Sequence, residues 1–329
     1  MNEWLPVVFT GLMGLAMLLY VILDGYDLGV GILLRHAGDA QKDTMIASIG
    51  PFWDANETWL VLGVGLLLVA FPAAHGVILG ALYLPVAFML IGLILRGVAF
   101  DFRVKVHAQH KPLWNVAFYA GSLTAALSQG FMLGIYITGL KYTAVGIGFG
   151  IVIALCLVAG YALLGSGWLI MKTEGELRQR AIGWARRSLW FTGLGIVAVS
   201  LATPLVSPRI FEKWFALPEL FFLMPIPLLT GILFMTCLNS VVKLGNGSSQ
   251  REWLPFVSTL GMFVLAFGGL AYSIFPYLVI DRITLWEAAA APGSLKFMLV
   301  GAAITLPAII GYSIYTYRVF WGKTSELTY

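Results

Sequence analysis

The sequence predicts an all-α integral membrane protein of about nine transmembrane helices, arranged as two four-helix bundles plus one peripheral helix. Composition is the first observation behind this expectation: of 329 residues, 60% are hydrophobic and 11% charged, with mean hydropathy +0.89. Soluble domains are about 25% charged, and no water-soluble core absorbs this much apolar surface. Second, the apolar residues come in segments of roughly 20 or more, the length that crosses a bilayer. Third, the basic residues alternate between segments in the way the positive-inside rule requires.

The spans fall at 6–33, 53–73, 75–97, 113–138, 144–171, 187–206, 218–242, 254–277 and 295–320. The run from Trp59 to Ala99 is broken only at Phe71-Pro72 and His75-Gly76. At about 1.5 Å per residue it is too long for one crossing, so a tight reversal at Pro72 divides it. With the N-terminus outside, the inner group holds Arg35, Lys42, Arg96, Arg103, Lys105, Lys111, Lys172, Arg178, Arg180, Arg186, Arg187, Lys243, Arg251, Arg318 and Lys323. Only Lys141, Arg209, Lys213, Arg282 and Lys296 fall outside. The C-terminus is then cytoplasmic. The segment 172–187 reads as the most charged loop and divides the chain near its middle. A first bundle over 1–142, a second over 143–290 and a last peripheral helix over 291–329 follow. Bundles are the usual means of burying inward-facing polar side chains.

Other classes are excluded. The net charge of +4 is spread over short loops, and no basic run interleaves with aromatics as a nucleic-acid face requires. Cys156 and Cys237 each sit in an apolar stretch and read as packing residues. Residues 5–34 are too long and glycine-studded for a cleavable leader, so the N-terminus is expected to stay. The four histidines lie in loops or at span ends, which gives no intramembrane pair to ligate a haem between helices. There is no P-loop, dinucleotide fingerprint or HExxH motif.

Ionisable residues inside spans are costly, and three clusters of them mark the chain. In Asp24-Gly25-Tyr26-Asp27-Leu28-Gly29-Val30-Gly31, the two acids stand at i and i+3 on one helix face. Close carboxylates in low dielectric suit a group that takes up and releases protons; the plainer alternative has Asp27 capping a helix end and Asp24 bonding a neighbouring helix. In Pro51-Phe52-Trp53-Asp54-Ala55-Asn56-Glu57-Thr58-Trp59-Leu60, two acids and an amide lie between tryptophans. This reads as a polar funnel from the cytoplasmic face, or as a helix start capped by Asp54. In Arg96-Gly97-Val98-Ala99-Phe100-Asp101-Phe102-Arg103, which closes the third span, Arg96 either pairs with Asp24 or Asp54 across the bundle or snorkels to the head groups.

These three blocks, in order and at similar spacing, resemble subunit II of the cytochrome bd family of respiratory quinol oxidases. The likeness extends to Phe275-Pro276, Ile283-Thr284-Leu285-Trp286 and Tyr317-Arg318-Val319-Phe320-Trp321-Gly322-Lys323. The resemblance implies a haem-free subunit built as two four-helix bundles plus a peripheral helix. Its partner would be a haem-bearing subunit I with two b haems, one d haem and the quinol site, in a heterodimer that reduces oxygen to water. A small third subunit is also admitted. It places Asp24 on a proton route from the cytoplasm, Asp54 further along it towards subunit I, and Trp59 near an oxygen passage. Glu57 and Arg96 complete the candidate route, with Asp27, Trp53, Asp101 and Arg103 as secondary candidates. No cofactor is expected in this chain beyond a structural quinone, which some members hold. Glu57 stands where certain members have an amide, and the chain is shorter than some.

The chain is thus expected in the bacterial inner membrane, supporting subunit I and giving protons and oxygen access, without activity of its own. Two other readings remain open: a proton-coupled secondary transporter, which would also bury carboxylates, and a purely structural assembly subunit. A transporter would carry broken helices and midplane binding groups in both halves, whereas the acids here gather in the first.

Overall fold

The computed structural model describes residues 3–324, in which the chain is almost wholly helical. The helices are α1 (Trp4–Leu33), α2 (Asp39–Ile49), α3 (Trp53–Ala70), α4 (Pro72–Lys105), α5 (Lys111–Ile137), α6 (Ala144–Lys172), α7 (Gly175–Val206), α8 (Pro208–Phe215), α9 (Glu219–Leu223), α10 (Pro225–Gly245) and α11 (Leu254–Ile274). A small antiparallel hairpin follows, β1 (Tyr277–Val279) with β2 (Ile283–Thr284), then α12 (Leu285–Ala288) and α13 (Pro292–Val319). Eight of the helical segments are each long and apolar enough to cross a membrane. The bent pair α2 and α3, inclined by 51°, meets the same test together and supplies the ninth.

Local chemistry explains the boundaries. Pro72, Pro208, Pro225 and Pro292 open their helices, where the missing N–H would have no partner anyway. The Thr143 hydroxyl accepts from Gly146 N at the start of α6. Thr284 and Glu287 close a reciprocal capping box on α12. The chain reverses between α3 and α4 at Phe71 alone, where Pro72 predicted the break.

Contacts at the ends sort the elements onto two sides. Trp286 Nε1 donates to Glu3 O (3.0 Å), Ala290 N to Ala70 O (2.8 Å) and Tyr136 OH to Leu278 O (2.6 Å). These contacts gather the start of α1, the α3–α4 turn and the hairpin on one side. On the other, Lys172 Nζ donates to the carbonyls of Phe320 (2.5 Å), Trp321 (3.1 Å) and Gly322 (3.0 Å), and Lys323 Nζ donates to Thr173 O (3.1 Å). Lys172, at the end of α6, thereby fastens the end of α13. The described ends of the chain lie on opposite sides, as an odd number of crossings requires.

Two expectations need correction. The segment 172–187 is not a loop: only Thr173 and Glu174 interrupt the helices, and α7 begins at Gly175. Its charges are accommodated on helix faces, Glu176 with Arg180 at i, i+4 and Arg178 with Glu252. The third span does not close at Arg96 either. Helix α4 runs on to Lys105, so Arg96 lies two turns inside it and its surroundings are helix on every side.

α1 packs against α3, α5 and α6, while α4 packs on α3 and α5. α6, α7, α10 and α11 pack among themselves, and α5 lies along α6. α13 touches α1 and α3. The α1–α6 crossing is close because glycines stand on both helices there. A Cβ placed on Gly29 would lie 1.8 Å from Tyr161 O, and one on Gly165 would lie 2.4 Å from Gly29 C. Such residues let helix backbones touch in a membrane, where packing replaces the hydrophobic drive.

Candidate functional site

Asp24, Asp27 and Arg96 are all sealed from solvent at 0%, 0% and 1% exposure. α1 presents the two acids at the level of the α3 N-terminal turns, and the α4–α5 packing delivers the arginine. A Cβ on Gly121 would lie 2.7 Å from Arg96 N, so α5 backs directly onto the main chain of α4 there. The Arg96 guanidinium forks. Nη1 lies 2.7 Å from Oδ1 of Asp24, an ion pair by distance though approached off the line of a strong hydrogen bond, and Nη2 bonds Oε1 of Glu57. It also sits 6.0 Å from the centre of the Trp53 ring, which packs on Phe100. Arg96 therefore pairs with Asp24 and Glu57 and not with Asp54, and its burial rules out snorkelling. The Glu57 side chain is 27% exposed, which makes it the one acid of the trio in touch with the surroundings.

Asp27 faces a different group. Asn56 Nδ2 lies 2.8 Å from Oδ2 of Asp27, 2.9 Å from Tyr26 OH and 3.3 Å from Leu23 O. It has two protons, and the two shorter contacts take them. Tyr26 OH and Tyr317 OH are 2.7 Å apart, and Tyr317 OH donates to Asn56 Oδ1 at 3.1 Å. The donors close a ring: Asn56 to Tyr26, Tyr26 to Tyr317, Tyr317 back to Asn56. Tyr26 is held in place by stacking on Trp168, with ring centres 4.3 Å apart. Asp27 is thus neither a helix cap nor a direct partner of Asp24.

The remaining candidates separate. Asp54 is exposed in the first turn of α3 and makes no side-chain cap, so the funnel expected from Asp54, Asn56 and Glu57 splits three ways: out, in and half-way. Asp101 is exposed. Arg103 is 4% exposed and ties α4 to its neighbours, with Nη2 at 2.5 Å from Asp43 of α2 and Nε at 2.5 Å from Asn115 of α5. Trp59 is 2% exposed and packs with Ala16 and Tyr20 of α1. It walls a groove of about 680 Å³ with Leu19, Leu23, Ile310, Ile314 and Tyr317. Among the described residues, no group of three His, Cys, Asp or Glu side chains is placed to hold a metal.

Sequence reasoning missed Tyr317, Tyr20 and Gln129 as parts of the site. The available signal was a wider scan: Tyr20 stands one turn before Asp24, and Gln129 is an amide deep in an apolar run.

Charge counting states what the site can do. Three carboxylates and one guanidinium share this low-dielectric region, Asp24 and Glu57 on Arg96 itself and Asp27 on Asn56 beside them. The cluster is charge-balanced only when it carries two protons. Because the guanidinium grips two of the acids at once, either can take a proton while the other still compensates the cation.

Residues 5–320 match the family model described as cytochrome bd terminal oxidase subunit II. Among curated relatives, the chain is 29% identical over 333 residues to a cytochrome bd ubiquinol oxidase subunit 2 of Bacillus subtilis, covering 93% of each chain. It is 24% identical over 368 residues to a cytochrome bd-I ubiquinol oxidase subunit 2 of Escherichia coli, covering 98% of this chain and 96% of that one. Among solved structures it resembles a chain of the bd oxidase from Geobacillus thermodenitrificans, with TM-score 0.79 at 16% identity over 96% of this chain and 98% of that one.

Proposed function

Because the chain belongs to the cytochrome bd terminal oxidase subunit II family, we propose that, within the quinol oxidase, it conducts protons inward through Glu57, Arg96 and Asp24 to the subunit that reduces oxygen. The chain is a subunit of an oxidoreductase complex, a multi-pass protein of the bacterial inner membrane whose complex includes a subunit I. Within that frame, two b haems, a d haem and the quinol site belong to subunit I, which supplies the redox chemistry. This chain has no activity alone, and a structural quinone or a small third subunit is an addition to the same assembly.

The observation that carries the proposal is the forked Arg96 between a half-exposed and a sealed carboxylate. The side holding the C-terminus carries most of the Lys and Arg residues and is therefore the cytoplasm, with the N-terminus outside. A proton entering there meets Glu57 first. Transfer to Asp24 keeps the cation paired throughout, and Asp54, on the uncovered face of α3, lies towards subunit I. Each oxygen molecule takes four electrons from two quinols and four protons to give two waters. Inside protons are consumed and quinol protons are released outside, which builds a membrane potential. Oxygen, being apolar, enters along the groove beside Trp59. In the same reading α1, α3, α4 and α5 (1–142) form one four-helix unit and α6, α7, α10 and α11 (143–290) the other, with α13 (291–329) at the periphery.

Glu57→Gln keeps the Arg96 contact through its amide oxygen but removes the first proton acceptor. We expect quinol-driven oxygen uptake to fall by roughly tenfold, below the ~10²-fold of a fully sequestered proton carrier because water can reach the partly exposed Glu57 position, with the haem spectrum intact. Wild-type uptake in this variant would remove Glu57 as the entry.

A further inference from the structure

Beside Asp24, a second polar chain crosses three helices. Tyr161 OH of α6 donates to Gln129 Oε1 of α5 at 2.6 Å, and Gln129 Nε2 donates to Tyr20 OH of α1 at 2.7 Å. Tyr20 and Tyr161 are 2% and 0% exposed. Tyr20 precedes Asp24 by one helical turn on the same face, and its hydroxyl lies beside the Asp24 carboxylate. The amide sets the sense of the chain. Its carbonyl is taken by Tyr161 and its N–H by the Tyr20 oxygen, so the Tyr20 proton has no call from either neighbour. Both Asp24 oxygens are sealed and accept no hydrogen bond among the described residues, so beyond the Arg96 ion pair the carboxylate has room for that proton.

We propose that Tyr20 is a positioning residue for Asp24, its proton aimed at the carboxylate by Gln129 and, through Gln129, by Tyr161. This rests on the reading of Asp24 as a proton carrier and extends it. Asp24 is faced by Arg96 from α4, Glu57 from α3, Tyr20 and Asp27 from its own helix and Tyr161 from α6. Of the two neutral hydroxyls among these, Tyr161 spends its proton on Gln129, which leaves Tyr20 as the one whose proton can face the carboxylate. A hydroxyl aimed at the ionised carboxylate favours that form, and the polarised chain behind it strengthens the bond.

The test is the pH profile of quinol-driven oxygen uptake in the assembled complex. Asp24→Asn first identifies the limb that Asp24 sets, as the one that disappears. Tyr20→Phe then moves that limb to higher pH by about one unit, the order of one charge-assisted hydrogen bond. The sign follows because a carboxylate that loses a donor holds its proton to higher pH. Gln129→Leu moves it in the same direction by less, and the double variant moves it no further than Tyr20→Phe alone, since Gln129 acts through Tyr20. Loss of packing would give additive changes and no common direction, and the haem spectrum reports whether each variant assembles. An unmoved limb in Tyr20→Phe overturns the proposal, and additive shifts overturn the role of Gln129. If Asp24→Asn leaves the whole profile unchanged, the underlying proton-carrier reading fails instead.

Discussion

Asp24→Asn is expected to lower quinol-driven oxygen uptake by roughly 10²-fold, the contribution of a well-placed proton carrier, while the complex still assembles with its haems. The substitution is nearly isosteric, and Arg96 is not orphaned because Nη2 still grips Glu57. Removing one partner of a buried pair is usually destabilising because it strands the other charge; here the second carboxylate prevents that. The variant also changes the charge arithmetic. With Asp24 neutral for good, the sealed end of the cluster can no longer gain and lose a proton, and the route stops at Glu57. Oxygen uptake and proton uptake in proteoliposomes should fall together. Undiminished uptake would reject the route, and a complex lacking haem would assign Asp24 to assembly.

Much of this arrangement was legible in the chain. Hydropathy located the crossings because a bilayer imposes a length and excludes charge, and α1, α5 and α6 end within two residues of the expected bounds. The reversal at Pro72 was legible because proline constrains the residue before it. Hydropathy misplaced α7 by twelve residues at its start, for a physical reason: a helix continues beyond the membrane wherever its charges find partners, and Glu176 pairs with Arg180 one turn on while Arg178, on the opposite face, pairs with Glu252. The costliness of buried charge flagged Asp24 and Arg96. It offered Asp54 as the other partner where the structure has Glu57, since residues three apart on α3 differ by less than a turn and only the α3–α4 packing decides. Arg103 paired with Asp43 of a helix that hydropathy did not reveal. Tyr20, Gln129 and Tyr317 escaped because uncharged polar side chains cross the membrane cheaply, and their meaning comes from partners 109 and 261 residues away.

Gly29→Leu should abolish recovery of the assembled, haem-bearing complex. α1 carries both sealed acids and packs on α6 through Gly29, so whatever separates these helices displaces the acids from Arg96 and Asn56 together. The atoms a Gly29 side chain would meet are main chain: Tyr161 O at 1.8 Å, Tyr161 C at 2.6 Å and Gly165 N at 2.9 Å. Flexible side chains yield to an intruding methyl, but the backbone of a packed helix moves only as a body. Overpacking of an ordinary core costs about 1–3 kcal/mol, and a backbone collision that parts two helices belongs above that range, against a total stability of about 5–15 kcal/mol. Gly29→Ala should therefore already lower the yield and the unfolding temperature. Gly148 in α6 provides the control, because a Cβ there meets nothing within 4 Å. Gly148→Ala should be neutral or slightly stabilising, alanine being the better helix former. If Gly29→Leu and Gly148→Ala assemble alike, the two halves are not joined backbone to backbone at Gly29 and Gly165, and the position of the acids must be fixed by the α1–α3 contact alone.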